Sequence, residues 1–280
     1  MLAGRMGHEK EALKLFLTDD LEEAKEITSK LNEFNKQRQE IEKAIFEDAI
    51  RQIEKNNMTN DPIIIVGGEG WHQGVIGIVS SKITDLYYKP SILFCFDGET
   101  AKGSGRSVSG FDLHNALCES SEYLDKFGGH EMAIGLSMKR SNFEKFKTKV
   151  LKIATETETQ ELVPVLKIDK ELQAVDLTEE NINSLQKLEP FGEANKTPLF
   201  LYKNLKIDSI RSLSEGKHLK LTLKDDIGNI VLSAIGFHMG KLVEDYRLFD
   251  KVDIVGTLEI NEFNKKKEIQ INLQDIRKSV

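Results

Sequence analysis

The stretch from Leu21 to Asn56 constrains this chain more than any other. Leu21, Ala24, Ile27, Leu31, Phe34, Ile41, Ile45, Ala49 and Ile53 recur mostly at steps of three and four, with charged residues between them. That spacing predicts a single long amphipathic helix. Thr18-Asp19-Asp20 supplies caps at its start, and Asn56-Asn57 with Asn60-Asp61-Pro62 ends it. A helix of this length is at the long end for a globular domain, so it is a coiled-coil arm or a rigid connector between domains. The eight residues Met1 to His8 have no capped start and read like the middle of a domain.

Beyond Pro62, strands alternate with helices, which favours a mixed α/β sandwich. Strands are predicted at residues 63–66, 91–96, 101–108 and 132–138, with helices at 74–86, 113–124 and 142–153. A Thr/Glu-rich run at 155–161 reads as a linker, a strand-like segment covers 165–172, and a capped helix covers 177–188. After Pro198 the pattern becomes one of short strands, at 199–210, 218–223, 230–235, 252–260 and 268–273. Turns are predicted at 225–229 and at Asn264 with Lys265-Lys266-Lys267. A helix at 239–246 falls between the third and fourth of these strands, the arrangement of a Greek-key OB barrel. The fold class is therefore α/β plus β. The expected divisions are 1–60 for the end of a preceding domain and the connector helix, 61–160 for the α/β domain, 161–194 for a linking strand and helix, and 195–280 for a five-stranded OB-like barrel.

Composition narrows the function little. With 280 residues, 39% hydrophobic and 30% charged, the chain can form about two ordinary cores. Two cysteines, Cys95 and Cys118, argue for reduced thiols and not a disulfide framework. No apolar run approaches the roughly 20 residues that cross a bilayer, so a cytoplasmic protein without membrane association is expected. The net charge of −7 does not advertise a polyanion partner, yet residues 195–280 carry 15 Lys+Arg against 12 Asp+Glu, a weak hint of one.

Three glycine-punctuated clusters carry the chemical interest. Residues 67–74, GGEGWHQG, lie between a strand and a helix whose N-terminus offers free N–H groups to an anion; a tight turn around a packed Trp71 explains them equally simply. In Lys102-Gly-Ser-Gly-Arg-Ser107, small neighbours leave Arg106 free to grip a phosphate beside the Ser104 and Ser107 hydroxyls, unless it is only a surface arginine on an edge strand. In Phe127-Gly-Gly-His130, two glycines would set the imidazole on a sharp loop near backbone N–H groups.

Taken together, GWHQGVIGIVSSK (70–82), GSGRSVSGFDL (103–113) and FGGHEMAIGLS (127–137) resemble the DHHA1 domain of the DHH phosphoesterase superfamily. AGRMGH (3–8), the helical stretch 17–43 and LEPFGEANKTPLF (188–200) are similar to the RecJ-type single-stranded-DNA exonucleases. The resemblance covers nearly the whole chain and implies its carboxy-terminal portion. It also implies that Arg5, Ser104 and Arg106 hold the DNA and its 5′-terminal phosphate. His130 would act at a phosphate near the scissile bond, with Gly128 and Gly129 shaping its surroundings.

The OB barrel would bind single-stranded DNA. From charge and strand position, Lys203, Arg211, Lys217, Lys220 and Phe263 are its candidate contacts, with Tyr202, His218 and Lys265 to Lys267 beside them. Replication or repair proteins are further expected partners. RecJ proteins resemble one another most in an amino-terminal domain with an Asp-His-His motif, where Mn²⁺ or Mg²⁺ would activate water. This chain has no Asp-His-His, and its six histidines are scattered without carboxylate partners at ligand spacing. No cofactor is expected on this chain, which should bind DNA without cutting it. Other classes stay open: a fragment of a small DHH oligonucleotide or nucleotide phosphoesterase, a domain akin to the Gly-Gly-His region of alanyl-tRNA synthetases, or a non-catalytic repair scaffold.

Overall fold

The Asp20 carboxylate starts the long helix, accepting the Glu22 N–H at 2.8 Å and the Glu23 N–H at 3.4 Å. In the computed structural model, which describes residues 3–157, 163–192, 194–225, 230–263 and 266–279, a short helix α1 (Glu9–Leu17) precedes α2 (Leu21–Lys55). The 35 residues of α2 make a rod of about 50 Å at roughly 1.5 Å per residue. Ile45, Ala49 and Ile53, in its second half, enter a core with Ile64, Val66, Val75, Ile76, Val79 and Ile83. At its middle, the buried Glu42 carboxylate is shared by Arg38 on α2 and Lys82 on the next helix. Burial works against the charge on Glu42, but Lys82 and Arg38 outweigh it and hold the carboxyl below its usual range.

The chain divides into two units, residues 1–164 and 165–280. The first is built on a five-stranded sheet: β1 (Ile64–Glu69), β2 (Ser91–Asp97), β3 (Thr100–Arg106), β4 (Lys126–His130) and β5 (Ala133–Lys139). Their order is β1-β2-β3-β5-β4, with only β1 and β2 parallel. Helix α3 (Gln73–Tyr87) packs with α2 on one face. Helices α4 (Leu113–Cys118) and α5 (Phe143–Glu156) share the core of the other with Phe94, Ala101, Ile134, Leu136 and Met138. The first two strands of this sheet are continuous apolar runs because both of their faces are covered.

The second unit begins with β6 (Lys170–Glu171) and α6 (Glu179–Leu185), capped by the Thr178 hydroxyl on the Asn181 N–H at 3.1 Å. Five strands then close on themselves: β7 (Phe200–Leu213), β8 (His218–Asp225), β9 (Ile230–Gly236), β10 (Lys251–Phe263) and β11 (Lys266–Lys278). The order β7-β8-β9-β11-β10 returns to β7 through pairs such as Val252 with Leu205, completing an OB-like barrel. On β8, Leu219, Leu221 and Leu223 are fully buried, so Lys220, Thr222 and Lys224 face outward. Among the described residues no helix is long and apolar enough to cross a membrane.

Several expectations are corrected. The strand predicted at 63–66 runs on through both glycines to Glu69. The helix predicted at 113–124 stops at Cys118, because the buried Ser120 hydroxyl takes the Ala116 carbonyl at 2.9 Å while its N–H turns back to Leu117. Among the described residues the strand-like segment 165–172 pairs as a strand only at Lys170–Glu171; Val165 and Leu166 are exposed, with no described strand beside them. The helix at 239–246 is a single 3₁₀ segment, Gly240–Glu244. Of the predicted turns, residues 226–229 and 264–265 lie outside the described residues, whereas Lys266 and Lys267 belong to β11.

Candidate nucleic-acid interface

Strand β3 spells Thr-Ala-Lys-Gly-Ser-Gly-Arg, and its alternation divides two environments. Ala101, Gly103 and Gly105 face the core. A methyl group on Gly103 would meet Leu136 and Phe94 at 2.7 Å, and one on Gly105 would meet Ile134 at 2.7 Å. Lys102, Ser104 and Arg106 point to the opposite face, where α3 runs alongside. The approach there is close: a β-carbon on Gly77 would lie 2.9 Å from the Ser104 hydroxyl and 3.5 Å from Arg106 Nη2. Gly77 thus forms the seat for the Arg106 guanidinium, whose Nη1 donates to the Gly105 carbonyl at 2.7 Å and to Ser104 at 3.5 Å.

Arg5 joins this group from the far end of the unit. A 3₁₀ turn, Ala3–Met6, lies against the start of α3, with the Arg5 carbonyl where a Gly74 side chain would stand. Arg5 Nη1 donates to the Gly74 carbonyl at 3.5 Å. The Arg106 guanidinium is half-buried, and that burial, followed by the nearby charge of Arg5, depresses its pKa. Among the described residues neither arginine has a carboxylate within ion-pairing distance. Two adjacent guanidiniums without an acid make a site that favours a dianion.

Beyond β3 the same face of the sheet lies open. Cross-strand pairing sets Arg106, Ala133 and His130 in one row, Ser104, Gly135 and Gly128 in the next, and Lys102, Ser137 and Lys126 in a third. Paired residues share a face. Side chains built on Gly128 and Gly135 would meet nothing within 4 Å, so the floor of this shelf is bare backbone. Gly129 has φ of +137°, and a β-carbon there would strike the Ala133 carbonyl at 2.2 Å. The hairpin therefore needs glycine at 129 to close on β5. The sharp loop expected around His130 is instead the last position of an edge strand, which keeps the imidazole exposed. Its Nδ1 accepts the Met132 N–H at 3.3 Å and leaves Nε2 to the solvent side. With strands about 4.8 Å apart, the His130 and Arg106 backbones stand roughly 10 Å from each other.

The first glycine cluster serves as support. His72 caps α3 by accepting the Gly74 N–H on Nδ1 at 3.1 Å, so part of that helix start is already satisfied. The Trp71 indole lies against Gly68 and donates to Asp48 of α2 at 3.2 Å, while Gln52 bridges Asp48 and the Gly67 carbonyl. Sequence reasoning missed Gly77, Lys126 and this tie to α2. Gly74 and Gly77, three apart on one helix face, were the available signal for a close approach.

On the barrel, Arg211 and Lys220 are paired across β7 and β8 on the outer face. Lys220 donates to Gln270 at 2.8 Å, and its burial lowers its pKa. Lys217 is exposed at the β7–β8 turn, and the His218 ring meets Phe237 and His238 edge-on at 5.3 and 5.4 Å. Lys203 is ion-paired with Glu171 at 2.7 Å. Tyr202 is buried, its hydroxyl 2.5 Å from Asp225, so no base can stack on it. The Phe263 side chain and Lys265 lie outside what the structure describes.

Comparison with known proteins agrees with this geometry. The DHHA1 domain family matches residues 60–156 and the RecJ OB domain family matches residues 168–275. The single-stranded-DNA-specific exonuclease RecJ of Bacillus subtilis is 34% identical over 276 residues, which is 97% of this chain and 35% of that protein. The Escherichia coli RecJ is 30% identical over 287 residues, covering 98% of this chain and 49% of its own length. The crystal structure of Thermus thermophilus RecJ with Mg²⁺ superposes with a TM-score of 0.82 at 29% identity, over all of this chain and 42% of that one. This chain therefore spans under half of the relatives it matches. Residues 60–156 are a DHHA1 domain and residues 168–275 a RecJ OB domain, and over nearly its whole length the chain is similar to the DHHA1–OB portion of the RecJ exonucleases.

Proposed function

We propose that this chain is the substrate-gripping portion of a 5′-to-3′ exonuclease acting on single-stranded DNA. One observation carries the reading: the half-buried Arg106 guanidinium stands beside Arg5, with no acid partner among the described residues, at the head of an open glycine-floored shelf. A terminal phosphate would complete that site, held bidentately by Arg106, with Ser104 donating its hydroxyl and Arg5 adding charge. His130, at the far side of the same row, would donate from Nε2 to a phosphate oxygen near the scissile bond. Gly128 and Gly129 let the sugar–phosphate backbone lie against the sheet. The outer face of the barrel, with Arg211, Lys217 and Lys220, would hold strand further from the end.

Hydrolysis itself falls to divalent metal ions in an amino-terminal DHH domain of the whole enzyme, in keeping with the Mg²⁺ and Mn²⁺ in the Thermus structures. Among the described residues no group of three His, Cys, Asp or Glu side chains is placed to hold such an ion. The division of labour predicts that the purified chain binds single strands and, with Mn²⁺ added, releases no nucleotides. Fluorescence anisotropy of a labelled single strand with and without a 5′ phosphate tests the grip. Wild type should prefer the phosphorylated end and Arg106→Ala should lose the preference; equal affinity for both ends in wild type would overturn it.

A further inference from the structure

The third row of the shelf is absorbed by none of these roles. We infer that Lys102 and Lys126 form a second phosphate clamp, which holds an internal phosphodiester of the same strand that Arg106 holds by its end. The inference rests on the phosphate-gripping reading of Arg106 and extends it along the sheet. Lys102 lies four residues before Arg106 on β3, and Lys126 lies four before His130 on β4, so the row they form with Ser137 is parallel to the Arg106–His130 row. Four residues of strand measure about 13 Å, at roughly 3.3 Å each. That is about two steps of an extended single strand, and the Ser104–Gly135–Gly128 row lies midway between.

Three features favour a clamp over two solvated lysines. Lys102 is anchored, donating to Gln73 on the first turn of α3 at 3.0 Å, which places its amine at the shelf wall. Lys126 stands at the opposite wall and has no carboxylate in ion-pairing range among the described residues. Between the walls, Ser137, Gly135 and Ala133 rise no higher than a hydroxymethyl group, and a depression of about 360 Å³ lies there, lined by Gln73, Lys102, Lys126, Gly135 and Ser137. The two walls are two inter-strand spacings apart, roughly 10 Å, so cations from both sides can meet one phosphate lying between them. The contacts are to charge and not to base edges, so the clamp accepts any sequence.

The test uses the full chain and a 5′-phosphorylated oligodeoxythymidylate carrying a 3′ fluorophore, with affinity measured by anisotropy over a range of NaCl concentrations. In single strands each neutralised phosphate contributes about 0.7 to the slope of log K against log[salt], so Lys102→Ala/Lys126→Ala, which frees the one clamped phosphate, should lower its magnitude by about 0.7. Lys102→Arg/Lys126→Arg should restore it. The control Lys145→Ala/Lys149→Ala removes the same charge from α5, on the opposite face of the sheet, and should leave the slope unchanged. The clamp is overturned if the shelf variant keeps the wild-type slope, or if the α5 control loses as much. Arg106→Ala separates the levels. If it weakens binding while the lysine variant does not, only the clamp fails; if it too has no effect, the phosphate-gripping reading fails with it.

Discussion

Gly77→Ala changes no charged or polar group, yet it should unseat Arg106. The added methyl would stand 2.9 Å from the Ser104 hydroxyl oxygen and 3.5 Å from Arg106 Nη2. Both atoms end mobile side chains, so the fold can yield there by rotating Ser104 and moving the guanidinium off the helix. The helix itself gains, since alanine is favoured over glycine in a helix interior by about 0.5–1 kcal/mol. Stability should therefore be unchanged or slightly raised. Binding should suffer, because a hydrogen bond to a charged group is worth about 1.5–3 kcal/mol. Losing one such contact weakens affinity by about 10- to 100-fold, at tenfold per 1.4 kcal/mol. The pair of measurements is a thermal melt and an anisotropy titration with a 5′-phosphorylated single strand. Wild-type affinity at an unchanged melting temperature would refute the seat. A marked drop in melting temperature would refute the claim that the clash is relieved by side chains alone.

Three other substitutions probe the shelf, the buried ion pair and the barrel. Gly135→Ala places a methyl on the open floor of the shelf, where nothing lies within 4 Å; denaturant unfolding should show no loss of stability while single-strand affinity falls, and unchanged affinity would mean that DNA does not lie on this surface. Glu42→Gln leaves the buried Arg38 without its counter-charge and should cost the first unit about 3 kcal/mol in urea unfolding; a cost near zero would show that the pair is not buried in solution. Asp253 in the barrel is buried, which opposes its charge, but the Ser279 hydroxyl, the Asn204 N–H and Arg277 hold its carboxyl below the usual range. Because the folded pKa is depressed, its stabilisation is fully present above the ordinary aspartate value of about 3.9 and is lost as pH falls below it. Urea midpoints measured against pH should thus lose part of their acid slope in Asp253→Asn, and an identical slope would contradict the assignment.

The legible parts of this chain were those in which local pattern and tertiary environment agree. Helix α2 could be read because its apolar spacing and its Asp20 cap are both local. The barrel strands could be read because Leu219, Leu221 and Leu223 alternate with outward polar residues around one core. Strand β4 could not, since Lys-Phe-Gly-Gly-His is short, polar and glycine-rich; it is a strand only because β5 offers it an edge. The site was half legible. Arg106, Ser104 and His130 stand out as chemistry among small residues, but their placement in parallel rows depends on the register of β3, β5 and β4. The approach of Arg5 to Gly74 joins positions 69 residues apart and has no local signature. Residues 165–168 mislead in the other direction, carrying strand-like apolar residues that find no strand to pair with among the described residues.

The central claim is that single-stranded DNA lies along the open face of β3, β5 and β4 with its phosphate end at Arg106. Hydrogen exchange of the backbone amides, read by mass spectrometry with and without a 5′-phosphorylated oligodeoxythymidylate, tests it most directly. Protection is predicted at Lys126–His130 and in the turn that leads to Ala133, where an edge strand and its hairpin exchange readily in the free chain. Protection confined to the barrel, with the β4 edge exchanging as fast as in the free chain, would contradict it.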